Sequence, residues 1–408
     1  MKKILFQILF LIPLCAQLSS CNADDTPDSD ASKTYIPVLD ARSLPIGNRP
    51  MELFKDDENP NLMYDKTDRW FRVNAPLQVI QSGKDSIQLS LYSPVGLKDV
   101  KIYAKIPNFE KRILIFDFSE IPSFHRSFHQ IPFVAGTSNY ITEHGNRVNI
   151  QQIPGFSNGA IEFSVESTDP LMAKFKKIKS QRLVQFESAY HTNELGKFLP
   201  MNPVLAKEAI TMMINFSYAL SHPLYYDTFM NFDRYKREQA ARAGTTVNGA
   251  LDWHGNAVDE NGVYDYLTKA QIQNSYNAYL DSRTVYPSMV GGGSAFGGGP
   301  LASQWESGYV RGHWLGDLSV FSHEYSHHVG YGHDSNLANS GQGGGQQEML
   351  SELYRYLIYL EDLPFLNPDV LQGWTKTNYL NAAYQKPVFT INPQNTFLLK
   401  YNGTGKWN

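Results

Sequence analysis

From about residue 78 to 168 apolar and polar residues alternate in short runs separated by turn residues. Short apolar-rich runs recur at Leu77-Gln78-Val79-Ile80, Ser86-Ile87-Gln88-Leu89-Ser90-Leu91-Tyr92, Val100-Lys101-Ile102-Tyr103-Ala104 and Arg112-Ile113-Leu114-Ile115-Phe116. They are broken at Ser82-Gly83-Lys84-Asp85, Ser93-Pro94 and Pro107-Asn108. Successive side chains of a strand point to opposite faces, so this spacing predicts half-buried strands. Turns at intervals of about 8–12 residues predict a β-sandwich of about seven strands. No catalytic grouping falls in this stretch, which reads as a spacer or recognition module. His125 and His129 stand four apart in Phe124-His125-Arg126-Ser127-Phe128-His129. With no third ligand or acid beside them, they read as a surface loop with aromatic anchors.

The period changes near residue 180. Between Leu205 and Phe216 apolar residues fall at 205, 209, 212, 213 and 216, along one face of a helix. Tyr266–Leu280 is a second, weaker case. Apolar positions 315, 318, 321, 325 and 329 mark an amphipathic helix packed on a core. A further amphipathic helix begins at Gln347, with Leu350, Leu353, Leu357 and Leu360 facing inward. Residues 290–300 contain six glycines. The Gly-Lys-Ser/Thr ending of a phosphate loop is missing, so the segment reads as a flexible or tightly turned loop, either a cleft wall or a strand-edge turn. The expected organisation is an all-β domain over residues 46–180 and an α+β domain over residues 181–408.

The first 20 residues have a different character. Lys2 and Lys3 precede the apolar stretch Ile4–Pro13, and Leu18-Ser19-Ser20-Cys21 resembles a lipobox, as in a bacterial lipoprotein signal peptide. A spanning helix needs roughly 20 apolar residues, more than this stretch supplies. On this reading Cys15 leaves with the signal and Cys21 becomes the lipid-anchored N-terminus. The mature chain then has neither a disulfide nor a free thiol. Removing two lysines leaves 34 basic against 40 acidic residues, a balance of −6. Residues 21–45, with Asp24, Asp25, Asp28 and Asp30, read as an acidic flexible tether. Acidic residues here also resemble the surface-export signals of Bacteroidetes lipoproteins, which implies an outer-membrane lipoprotein on the cell surface.

Composition narrows the choice. At 408 residues and 42% hydrophobic the chain is long enough for more than one buried core. The charged fraction of 19% and aromatic fraction of 13% exclude a mostly disordered chain. A net charge of −4 leaves no excess of Lys and Arg to neutralise phosphates, so no nucleic-acid partner is expected.

Five of the eleven histidines, His313, His323, His327, His328 and His333, lie within 21 positions. His323 and His327 are four apart, which stacks their imidazoles on one helix face within reach of a single tetrahedral Zn2+ at about 2.0–2.1 Å. Glu324, one residue along, is close to such an ion but angled away from ligation. It is placed as a general base for a water that the metal acidifies towards a pKa of about 7. Gly330 can turn the chain so that His333 returns as a third ligand. A helix with incidental histidines would have to carry two imidazoles and a carboxylate on an otherwise apolar surface unsatisfied. His328 points about 100° from His327 and reads as solvated or as a substrate contact. His313 and Trp314 read as cleft lining or packing, Asp334 as orienting its loop, and Asp259-Glu260-Asn261-Gly262 as a turn.

The run His323-Glu324-x-x-His327-x-x-Gly330-x-x-His333-Asp334 resembles the zinc signature of the metzincin metalloproteases over 12 residues. The resemblance implies a zincin-like endopeptidase domain acting on protein or glycoprotein substrates, with His323, His327 and His333 on zinc and Glu324 as base. Metzincins continue into a Met-turn. Here the nearest methionine is Met349, at the start of a predicted helix, with Leu337 in the intervening loop. Glu348 and Glu352 resemble instead the second helix of gluzincins, in which Glu348 would be the third ligand and Glu352 would support a ligand histidine. Both ligand sets remain open on the sequence. The rival function is a non-catalytic surface lipoprotein that binds host protein or glycan, with zinc structural or absent. Structural zinc normally takes four protein ligands, and no cysteine lies near these histidines to complete such a set.

Overall fold

The alternating N-terminal runs form strands in the computed structural model, which describes residues 51–82, 86–107, 109–130, 137–151, 161–191, 198–231, 268–290, 297–299, 301–305 and 318–333, together with 350, 353, 354, 357, 360 and 362–365. In order they are β1 (Met51–Glu52), β2 (Phe71–Arg72), β3 (Leu77–Gln81), β4 (Ser86–Leu91), β5 (Leu97–Lys105), β6 (Ile113–Ile121), β7 (His125–Gln130), β8 (Thr137–Thr142), β9 (Arg147–Gln151) and β10 (Glu162–Ser167). All but β2 belong to two antiparallel sheets, ordered β1-β7-β4-β3 and β10-β5-β6-β8-β9. The alternation is visible in β4, where Ile87, Leu89 and Leu91 are fully buried. The expected signal, tether and Cys21 lie outside the described residues.

The structure corrects the reading of His125 and His129. They lie in strand β7 rather than in a surface loop, and both are buried with Ser127 between them. Three residues two apart share one strand face, so their side chains line up. His125 Nε2 is 2.9 Å from Ser127 Oγ, which is 2.6 Å from His129 Nε2. One hydroxyl can donate to one ring and accept from the other, so a neutral pair satisfies the chain of bonds. The rings of Phe116 and Phe118, from β6 of the other sheet, stand 5.4 and 5.2 Å from His129. The sequence pattern missed this because a buried polar strand face has the same period as an exposed one.

Burial pushes His125 and His129 down to about 4 and His191 down to about 3, from an ordinary 6.5. The unfolded chain therefore binds more protons than the folded one as pH drops from about 6.5 towards 4. Stability from these rings is complete above that window and is lost through it, each ring contributing on the order of 1 kcal/mol per pH unit. Urea midpoints measured at pH 7.5, 6 and 5 are expected to fall steadily, with a shallower fall in His129→Phe. A flat profile would refute this account of the buried histidines.

The rest of the described chain is mixed α/β. Strands β11 (Leu183–Val184), β12 (Phe198–Leu199), β13 (Thr284–Val290), β14 (Gly297–Gly298) and β15 (Leu301–Trp305) form a third sheet with β2. Its order is β14-β15-β13-β11-β2, with β12 antiparallel to β13. β15, β13 and β11 run parallel, whereas β14 and β2 are antiparallel to their neighbours. Its helices are α1 (Pro170–Lys177), α2 (Pro203–Ser221), α3 (Pro223–Met230), α4 (Lys269–Leu280) and α5 (Leu318–Val329). Asn202 caps α2 ahead of Pro203, and Thr268 and Gln271 form a capping box that starts α4 at Lys269, three residues after the expected Tyr266.

Helix α2 differs from its expected one-sided form, since all 19 of its residues are buried. Its polar positions are satisfied by distant partners. Lys207 Nζ reaches Glu52 Oε1 at 2.8 Å and Asp56 Oδ1 at 2.9 Å. Asn215 donates to the Phe365 carbonyl and accepts from its amide, at 2.9 and 3.0 Å. One apolar cluster joins the N-terminal sheets through α2 to Phe321, Tyr325 and Val329 of α5, and includes Leu350, Leu353 and Leu357. Among the described residues no helix is long and apolar enough to cross a membrane.

Candidate metal centre

Helix α5 carries the site because its apolar stripe anchors it from behind. Phe321 and Tyr325 are fully buried, and both rings pack on Phe216 of α2 at 5.1 and 4.8 Å. His323 and His327 are half-buried on the other side. The helix stops at Gly330, whose φ of +113° is a conformation that side chains with a Cβ rarely adopt. Tyr331 N–H donates to the Ser326 carbonyl at 3.1 Å and Gly330 N–H to the His327 carbonyl at 2.9 Å. These two bonds are the Schellman pattern, and they reverse the chain so that His333 comes back over the last turn.

The result is a triangle of nitrogens. His327 Nε2 lies 3.1 Å from both His323 Nε2 and His333 Nε2, and the latter two are 3.2 Å apart. An ion held at about 2.0–2.1 Å by three nitrogens of a tetrahedron spaces them about 3.3–3.4 Å apart. The triangle is within a few tenths of an ångström of that, so the three residues could hold a metal ion. Three imidazoles cannot all donate to one another at such distances, and a shared cation resolves the crowding of lone pairs. The tautomer agrees with this. His327 Nδ1–H donates to the Tyr331 carbonyl at 2.6 Å, which leaves the Nε2 lone pair facing the centre.

Glu324 is buried beside this face, only 6% exposed, and burial pushes its carboxyl up to about 7. Burial likewise pushes His327 below its ordinary range, which favours the neutral ring that a metal needs. The structure also corrects the reading of His328, which is buried rather than solvated. Its Nδ1–H donates to the Gly299 carbonyl at 2.6 Å, and burial lowers it to about 4.

That bond ties α5 to the glycine-rich segment just beyond the edge strand β14. Helix and strand touch backbone to backbone: a Cβ at Gly297 would sit 2.1 Å from the Glu324 carbonyl oxygen. The run of glycines thus has a steric cause at this position. Gly297→Ala is expected to push strand and helix apart and to cost about 1–3 kcal/mol in denaturant unfolding. An unchanged unfolding midpoint would show that the contact yields without cost.

His313, Trp314, Asp334, Leu337, Glu348, Met349, Glu352 and the Asp259–Gly262 turn lie outside the described residues. The structure brings together His323, His327 and His333. Sequence reasoning missed the Tyr331 carbonyl, because a backbone acceptor has no side-chain signature. It also missed Arg182, whose buried contacts with α5 span 143 residues. No protein-family description matches the chain, and neither a curated protein nor a solved structure matches it.

Proposed function

We propose that this chain is a zinc-dependent metalloendopeptidase with a zincin-like catalytic domain, anchored by lipid at Cys21 and acting on proteins or glycoproteins outside the cell. The observation that carries the proposal is the triangle of three Nε2 atoms with a buried carboxyl one residue along the same helix. Three protein ligands leave a tetrahedral ion one open position, which is the arrangement of catalytic rather than structural zinc. When bound, the dication supplies Lewis-acid polarisation of a carbonyl and acidifies nearby water towards a pKa of about 7.

The chain's own residues have separable tasks on this reading. Tyr331 holds His327 in one tautomer and one ring orientation. His323 and His333 complete the ligand face. Glu324 moves the proton: a carboxyl pushed up to about 7 can both accept a proton and return one to a leaving amine near neutral pH. Its burial keeps bulk water from competing for that proton. Gly297 packs on the Glu324 backbone, so the strand at that point brings no side chain beside the carboxyl.

The test has two measurements on the purified chain. Metal analysis should give one zinc per chain, and a peptide-library digest should show cleavage that chelation abolishes and zinc restores. One tightly held zinc with no cleavage of any peptide would favour the non-catalytic binding lipoprotein. Absence of zinc binding after supply of the metal would end the metal reading.

A further inference from the structure

Behind α5 lies a buried polar network that the reaction itself does not use. At about 100° per residue, Tyr325 lies about 160–200° around the helix from His323 and His327. Arg182, just ahead of β11, is fully buried against it. Arg182 Nε donates to the Tyr325 hydroxyl at 2.7 Å, Nη2 donates to the Ala278 carbonyl, and Nη1 lies 2.5 Å from Asp281 Oδ1. The guanidinium carbon stands 5.2 Å over the Tyr325 ring. Tyr325 donates its own hydroxyl proton to the Tyr279 carbonyl at 2.9 Å. Tyr279 Oη is 2.7 Å from Ser326 Oγ, which donates to the Ser322 carbonyl at 2.9 Å. Arg182, ahead of β11, and Tyr279, in the last turn of α4, therefore hold two successive residues of α5, Tyr325 and Ser326.

Apolar packing resists separation of helices but is weakly directional, because dispersion falls off smoothly as surfaces slide. Hydrogen bonds weaken steeply with angle and therefore fix rotation. Rotation matters here. Turning a helix by about 15° carries an atom about 6 Å from its axis through roughly 1.5 Å, whereas metal–ligand distances tolerate only about 0.2 Å. Burying a guanidinium is costly unless it is fully partnered, so a structural helix contact alone would be better served by an apolar residue.

We infer that Arg182 and the Tyr325 hydroxyl are positioning residues that set the rotation of α5, and thereby the placement of His323 and His327 towards a metal ion. The inference rests on the metal reading above. It is tested by titrating cobalt(II) into metal-free Tyr325→Phe and reading affinity and the visible absorption bands of the bound ion. Phenylalanine keeps the ring against Phe216 and removes only the hydroxyl. The expected result is about tenfold weaker binding, in the range for residues that support metal ligands, with displaced absorption bands.

A general loss of stability is controlled by Lys207→Met, which breaks the ties to Glu52 and Asp56 far from α5 and should leave the cobalt spectrum unchanged. If Tyr325→Phe does not fold, Tyr279→Phe removes the neighbouring bond to Ser326 and should shift the bands in the same way. An unchanged spectrum and affinity in the folded variant would overturn the inference, as would an equal change in Lys207→Met. Failure of the unsubstituted chain to take up cobalt would instead overturn the metal reading, and this inference with it.

Discussion

Glu324→Gln is expected to retain zinc and fold while losing hydrolysis by a factor of about 10²–10⁴, the usual contribution of a positioned acid–base group. The substitution keeps the size of the side chain and removes only its capacity to carry a proton. The nitrogens of the triangle belong to His323, His327 and His333, so metal content should not change. A second readout separates loss of chemistry from loss of structure. Burial raises the Glu324 carboxyl from an ordinary 4.5 to about 7, so in the metal-free chain the folded state holds a proton that the unfolded state has released. Between those pH values the contribution of this carboxyl to stability should fall as pH rises, opposite in sign to that of the buried histidines, and Glu324→Gln should remove that contribution. Stability of the metal-free variant above pH 7 is accordingly expected to equal or exceed that of the unsubstituted chain. Retained hydrolysis in Glu324→Gln would end the catalytic reading whatever the metal content.

The parts of this molecule that the sequence reveals are those set by local spacing. His323 and His327 are four apart on a helix, and Gly330 follows where only a residue without Cβ reverses the chain cheaply. Those three facts suffice to bring His333 to the pair, and the structure places the three Nε2 atoms 3.1–3.2 Å apart. The alternating strands were legible for the same reason, since period two needs only neighbours. Features that depend on partners far along the chain were not. Leu205, Ala209, Met212, Met213 and Phe216 describe one face, yet every face of residues 203–221 is covered, because Lys207 finds Glu52 and Asp56 and Asn215 finds Phe365. On polarity alone His125 and His129 read as part of a surface loop, and His328 as solvated or as a substrate contact. A neutral imidazole with a hydroxyl or carbonyl partner is tolerated inside, and that partner comes from the fold. Strand β2 joins the third sheet beside β11 across more than 100 residues, a pairing that no local pattern encodes.

Zinc is expected to stabilise the unsubstituted chain and to leave His333→Ala nearly unaffected. A ligand that binds only the folded state adds RT ln(1 + [L]/Kd), about 4 kcal/mol at a thousandfold excess over Kd. The three histidines lie within 11 residues, so zinc binding to the same imidazoles in the unfolded chain lowers the stabilisation below that limit. His333 is the informative position because it is exposed and lies past the helix end. Its removal costs the metal-free chain little, within about 0.5 kcal/mol for a surface substitution. His327→Ala is a poorer probe, because it also deletes the bond to the Tyr331 carbonyl that closes the turn. Thermal unfolding with and without zinc, across the unsubstituted chain, His333→Ala and Glu348→Ala, therefore separates the two ligand sets left open by the sequence. The triangle of imidazoles predicts that His333→Ala loses most of the zinc-induced stabilisation and Glu348→Ala keeps it. The opposite pattern would transfer the third ligand to Glu348 and leave His333 as a bystander, with His323, His327 and Glu324 in the same roles.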